Sequence, residues 1–172
     1  MSGQTFFGKY RAVVWNNIDP NMLGRIQVQV PGVAATPLLN WAQPCFPIAG
    51  LGMGFFAVPV IGAGVWVEFE QGDPDHPIWV GCITDSQTDV PSMAQTAPAP
   101  IPAFTIQTPL NNGMVISDGL GPSGTGGIVL QSTTGAMIVV NDLGIILSNG
   151  QGAQITMVGP TVDINSGALT VV

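Results

Sequence analysis

Gly127-Ile-Val-Leu-Gln-Ser-Thr-Thr-Gly135-Ala-Met-Ile-Val-Val-Asn-Asp-Leu-Gly144-Ile-Ile-Leu-Ser-Asn-Gly-Gln-Gly152 is the stretch that sets the architecture. Short apolar clusters alternate with turn residues, and a glycine returns every seven to nine positions through Gly159 and Gly167. That period is too short for a helical repeat and fits one strand plus one tight turn. The texture begins near residue 105, with clusters at Met114-Val-Ile116, Ile155-Thr-Met-Val158, Val162-Asp-Ile164 and Leu169-Thr-Val-Val172. No aromatic residue follows Phe104, so the segment has too few large side chains to fill a barrel of its own. A β-helix whose narrow Val, Ile, Leu and Met core is completed by other copies of the chain is the economical solution, and three copies suffice. An ordinary β-sandwich would carry longer loops and aromatic core residues. Within the repeat, Val139 and Ile146 are candidate axis-facing positions, although alternation alone does not say which members of each cluster face inward.

Charge agrees with assembly. After Arg25 there is neither Lys nor Arg through Val172, so salt-bridged helices cannot cover the surface. Charged residues make up 8 % of the 172-residue chain and hydrophobic ones 46 %, against a usual charged share of about 25 %. Twenty-three Gly and 15 Pro argue against long helices. The net charge of −7 counts against a nucleic-acid partner, whose phosphates are held by Lys and Arg.

Residues 8–85 read differently. They carry every Trp, the single Tyr, both Cys and all three basic residues. Ile26, Val28 and Val30 share one face of an alternating strand, and Val65, Val67 and Phe69 share one face of another, with Glu68 and Glu70 outward. Turn residues at Asp19-Pro20-Asn21, Pro31-Gly32 and Gly72-Asp73-Pro74-Asp75 separate them. Short strands with such turns suggest a small closed or partly closed barrel over 1–85, with Leu23 capping it and Gly24 permitting the turn between two strands. Residues 86–104, with four Pro, read as an extended linker free of helix, and 105–172 as the repeat. Trp41, Trp66 and Trp79 read as barrel core or packing against a neighbour. The uncharged run Gly50–Val67 has the length of a membrane span, but glycines and Pro59 interrupt it. The start has no secretory signal pattern, so Cys45 and Cys82 are expected as two buried thiols, with a disulfide as the alternative. His76 is the only histidine, which leaves no metal set within the chain.

The motifs Gly8-Lys-Tyr-Arg-Ala-Val-Val14, Asp19-Pro20, Leu23-Gly-Arg-Ile-Gln-Val-Gln-Val-Pro-Gly32, Trp41-Ala-Gln-Pro-Cys-Phe-Pro47, Gly52-Met-Gly-Phe-Phe-Ala-Val-Pro59 and Gly62 to Gly81 follow one another in order. In this they closely resemble the oligonucleotide/oligosaccharide-binding (OB) domain of contractile-tail spikes: the phage baseplate assembly protein V family and the VgrG spikes of type VI secretion. The resemblance implies an all-β protein, with an N-terminal OB-fold barrel and a C-terminal intertwined triple-stranded β-helix in a homotrimer. It implies a membrane-piercing structural spike at the baseplate of a contractile tail or phage-tail-like particle, assembled in the bacterial cytoplasm. The partners implied are a hub protein at the barrel end, a cone-shaped PAAR-type tip protein at the other, and transiently the target membrane. Leu169, Thr170, Val171 and Val172, apolar to the last residue, are expected to dock the tip. Lys9, Arg11 and Arg25 are expected at hub or inter-subunit contacts. No catalytic residue, cofactor or metal site is expected: His76 stands where related spikes often have Arg, and no His follows it for a metal tip. The rival functions are a glycan- or oligonucleotide-binding module and, further off, an envelope-degrading hydrolase. The first lacks a basic groove; the second needs paired carboxylates across a cleft, whereas the acidic residues sit singly in turns or on strand faces.

Overall fold

The structure, a computed structural model, describes residues 4–38 and 40–171. Contacts divide the chain into two units, Met1–Asp85 and Ser86–Val172.

In the first unit the strands are β1 (Tyr10–Asn16), β2 (Gln27–Gln29), β3 (Gln43–Pro44), β4 (Ala49–Gly50), β5 (Met53–Gly54), β6 (Gly64–Phe69) and β7 (Pro77–Cys82). Five of them form a sheet in the order β2-β1-β6-β7-β3. The two edges then meet: Ile26 N–H donates to Ala42 O at 3.2 Å and Ala42 N–H to Ile26 O at 2.7 Å. The sheet is thereby closed into a five-stranded barrel and loses its free edges. Alternation explains the core. Ala12 and Val14 from β1, Ile26, Val28 and Val30 around β2, and Val65 and Val67 from β6 are all buried. Each fully buried Val or Ile contributes about 1.5–3 kcal/mol. Trp79 closes one side of this core, its indole N–H donating to Gly24 O at 3.1 Å. The inward assignment of Val65, Val67 and Phe69 therefore holds.

Two local expectations are corrected here. Cys45 and Cys82 are free and exposed rather than buried. Cys45 directly follows the two-residue β3, and Cys82 is the last residue of β7. Leu23 does not cap the barrel. It is exposed, while Phe46 and Phe56 pack over neighbouring Gly24, where a Cβ would lie 3.0 and 3.1 Å from their rings.

The second unit holds β8 (Ala103–Gln107), β9 (Gly113–Ser117), β10 (Gly127–Gln131), β11 (Met137–Asn141), β12 (Gly144–Ser148), β13 (Gln154–Val158), β14 (Thr161–Ile164) and β15 (Leu169–Val171). They form one antiparallel sheet in sequence order, each strand hydrogen-bonded to its predecessor and successor. The segment before it is not wholly extended, as the prolines suggested. A 3-10 turn at Gln87–Asp89 precedes a one-turn helix, α1 (Ser92–Gln95), that begins directly after Pro91. Proline is tolerated there because a helix's first N–H groups lack intrahelical partners in any case. Met93 is buried and its N–H donates to Gln107 Oε1 at 2.8 Å, which ties the turn to β8.

Candidate assembly surfaces

Strand register turns the repeat into rows. Phe104, Ile116, Ile128, Val140, Ile145, Met157 and Val162 stand opposite one another from β8 to β14. Two residues along, and so on the same face, Ile106, Met114, Leu130, Ile138, Leu147, Ile155, Ile164 and Leu169 do the same from β8 to β15. Both rows are apolar without interruption, yet in the single chain they are open: Phe104 is 56 % exposed, Ile128 42 %, Leu130 44 % and Ile138 41 %. A shallow groove of about 720 Å³ runs along the second row, walled by Leu130, Ile138, Leu147, Ile155 and Ile164.

The row between them lies on the opposite face and behaves in the opposite way. Val115, Val129 and Val139 are 1–3 % exposed. The loop from β9 to β10 folds over this face, where Pro122, Ser123 and Thr125 wall a cavity of about 260 Å³ with Val139 and Ile146. Val139 and Ile146 are cross-strand partners on this covered side. In the single chain these two candidate positions therefore lie on the side packed by their own chain, and the face left open is carried by Ile138, Val140, Ile145 and Leu147.

At the end of the sheet, β15 pairs with β14 through Ile164↔Leu169, Asp163↔Thr170 and Val162↔Val171. Leu169 is 55 % exposed. Of the residues expected to dock a tip, Val172 lies outside the described residues. The other three occupy the terminal strand of the sheet, whose far edge has no strand beside it among the described residues.

The three basic residues do not converge. Lys9 pairs with Glu68, and Arg11 pairs with Asp85 at 2.7 Å while lying over the Trp66 ring at 5.0 Å. Both pairs are solvent-exposed, where such contacts contribute about 0–1 kcal/mol. Arg25 is different. It grips Asp19 bidentately, Nη2 to Oδ1 at 2.6 Å and Nε to Oδ2 at 3.0 Å, and lies over Trp41 at 5.5 Å. Asp19 also accepts the N–H groups of Asn21, Leu23 and Arg25, so one carboxylate organises the whole turn between β1 and β2. The Arg25 guanidinium, helped by those N–H groups and opposed by burial, holds the Asp19 carboxyl well below the usual carboxylate range. The signal was legible in Asp19-Pro-Asn-Met-Leu-Gly-Arg25, an acidic turn starter with a guanidinium six residues on.

This clasp gives a testable acid response. A depressed folded-state pKa contributes stability that is complete above the unfolded value, about 3.9, and is lost as pH falls from there through the folded pKa. Asp19→Asn should therefore lower the barrel's melting temperature at pH 7, and the gap from the parent should narrow steadily below about pH 4. Thermal melts from pH 2 to 7 would read this. A gap that stays constant across the series would refute the role assigned to Asp19.

Elsewhere in the barrel, Glu68 is engaged by Lys9, and Glu70 is exposed at the start of a 3-10 turn. His76 Nδ1 lies 3.1 Å from Asp73 Oδ2 in an exposed turn. Among the described residues no cluster of His, Cys, Asp or Glu could hold a metal ion, and no helix is long and apolar enough to cross a membrane.

A closed barrel joined to a sheet with one entirely apolar open face defines an all-β structural protein built for self-assembly. Residues 10–83 match the family model described as the type VI secretion system/phage-baseplate injector OB domain, and residues 103–170 match the phage baseplate V C-terminal trimerisation domain. The chain belongs to the phage baseplate V family of baseplate spike proteins. No curated protein matches it.

Proposed function

We propose that three copies of the chain join through the two open apolar rows and form the membrane-piercing central spike of a contractile particle. The observation that carries this is the unbroken apolar register from β8 to β15, in the region matching a trimerisation domain. Three such faces turned toward one axis bury side chains that a lone chain would leave in water, and exposed patches of this extent mark interaction sites. The result is a β-helical needle stiffened by continuous strand pairing. Its function is mechanical: contraction drives it through an envelope, and the absence of basic residues after Arg25 leaves little for anionic lipid headgroups to hold.

The barrels seat the trimer on a hub protein. Lys9 and Arg11, whose exposed pairs exchange readily, are available to that hub, whereas Arg25 is committed to Asp19. At the other end Leu169, Thr170, Val171 and Val172 form the platform for one PAAR-type tip, because a terminal strand edge presents unpaired backbone groups to a partner. Assembly takes place in the bacterial cytoplasm. The particle role requires no catalysis, and neither a basic groove nor a paired-carboxylate cleft favours the ligand-binding or hydrolase readings.

In light scattering the full chain should have the mass of three copies. Deleting residues 169–172 should leave that mass formula intact, as three truncated copies, while abolishing co-purification of a PAAR-type tip protein. Undiminished capture of the tip by the truncated spike would place the platform elsewhere. A monomeric parent would overturn the spike assignment.

A further inference from the structure

The segment from Ser86 to Pro102 has more structure than a tether needs. Its 3-10 turn is closed by a reciprocal cap, in which Ser86 N–H donates to Asp89 Oδ2 at 2.9 Å. Gln95 Nε2 donates to Gln87 O at 3.2 Å and to Val90 O at 3.1 Å, which staples that turn to α1. A helix of four residues does not hold its shape alone; here β8 and β9 hold it. Gln107 Oε1, at the end of β8, accepts the Met93 N–H at 2.8 Å. Asn111 Oδ1, in the β8–β9 turn, accepts from Ser92 Oγ at 3.1 Å and from Gln107 Nε2 at 2.9 Å. The buried Met93 side chain lies over Gly113 of β9, where a Cβ would come 2.8 Å from its Sδ. Beyond the helix, Thr96 O accepts the Gly121 N–H at 3.2 Å and Pro102 O the Asp118 N–H at 3.0 Å. The anchors thus fall on β8, on β9 and on the β9–β10 loop.

We infer that residues 86–102 are a load-bearing strap, which passes force arriving along the chain from the barrel into β8, β9 and the β9–β10 loop together. The inference rests on the spike reading, which supplies the load. The reason lies in how paired strands fail. β8 stands at one end of the sheet, with β9 as its single partner among the described residues. A force entering at Ala103, the first residue of β8, would peel that strand and open its ladder one bond at a time. Anchors spread over two strands and a loop must give way before β8 feels the load. Pro91, Pro98, Pro100 and Pro102 act in the same direction. Proline narrows the conformations open to a released chain, so letting go gains less entropy.

The test pulls on the full-length spike in optical tweezers. One handle is attached to the exposed thiol of Cys82, four residues before the strap, with Cys45→Ser leaving a single site; the other is attached after Val172 of the same copy. The parent should hold until one discrete step, the release of residues 86–102, lengthens it by up to roughly 60 Å at about 3.5 Å per residue. Met93→Ser, which empties the site over Gly113, and Gln107→Met, which orphans the Met93 N–H, should each lower the force of that step about twofold or more. Both variants should keep the parent's mass in light scattering. A parent that lengthens smoothly at low force, with trimer mass intact, refutes the strap and leaves the spike assignment standing. A step of unchanged force in both variants refutes it equally. A monomeric parent overturns the spike assignment and the load-bearing role with it.

Discussion

Ile138→Asp is expected to leave the protein without a trimer at micromolar concentration, and Ile145→Asp to do the same. Both residues stand on the open apolar face, one in each row, with cross-strand partners Leu130 and Leu147 for Ile138 and Val140 and Met157 for Ile145. In the assembled needle each substitution places three carboxylates near a narrow axis, with no basic residue beyond Arg25 to pair with them. A buried charge left without a partner costs about 3–5 kcal/mol, and here the cost is incurred in every copy. Gln131→Glu adds the same charge one residue along β10 from Leu130, on the other face, and should keep the trimer. Size-exclusion chromatography with light scattering separates these results. Trimers persisting in both aspartate variants would mean that the open rows are not the assembly face.

The second large effect concerns two of the repeat glycines. A Cβ at Gly144, where φ is +153°, would lie 2.1 Å from Met157 O; at Gly127, φ +117°, it would lie 2.3 Å from Val140 O and 2.7 Å from Asn141 Cβ. The main obstacles are backbone carbonyls of the adjacent strand, which cannot turn aside as a side chain can. Gly127→Ala or Gly144→Ala should therefore destabilise the sheet on the order of 3–5 kcal/mol, in the range reserved for a few named mechanisms. Gly152 belongs to the same glycine series but lies in the turn before β13, with φ +100° and open space where its Cβ would go. Gly152→Ala should cost only the left-handed backbone penalty, about 1–2 kcal/mol. Melting temperatures of the three variants would rank them. Equal losses at 127, 144 and 152 would show that backbone conformation, and not contact with the neighbouring strand, sets the requirement.

Much of this architecture could be read from local pattern. Alternation at Ile26, Val28 and Val30 and at Val65, Val67 and Phe69 identifies the barrel's inner face because the strand period is two and one side is dry. The glycine period near eight separates strand from turn throughout the second unit. What pattern could not resolve was which side of that sheet its own chain covers. In Met137-Ile-Val-Val140 every residue is apolar, so the period-two signal vanishes, and only the β9–β10 loop folded over Val139 decides the matter. The exposure of Cys45 and Cys82 escaped for a related reason: thiols are usually buried, and no local pattern marks these two, at the ends of strands, as exceptions. The helical turn Ser92–Gln95 was hidden by its prolines, since Pro91 stands before the turn, where its missing N–H costs nothing. Leu51 reads as part of an ordinary apolar segment, yet at the tip of the β4–β5 hairpin it is fully exposed.

In the second unit each strand touches only its neighbours in the sequence, and this makes reach a matter of arithmetic. A sheet widens by about 4.8 Å for every strand added, so one further hairpin extends it by roughly 10 Å and one fewer shortens it equally. No distant residue must change to accommodate the insertion, because no pairing skips a strand. The barrel has no such freedom: Ile26 must find Ala42 across the closed circle. A lineage facing a thicker target could therefore lengthen its weapon by duplicating a short stretch of gene, leaving the machinery that launches it untouched.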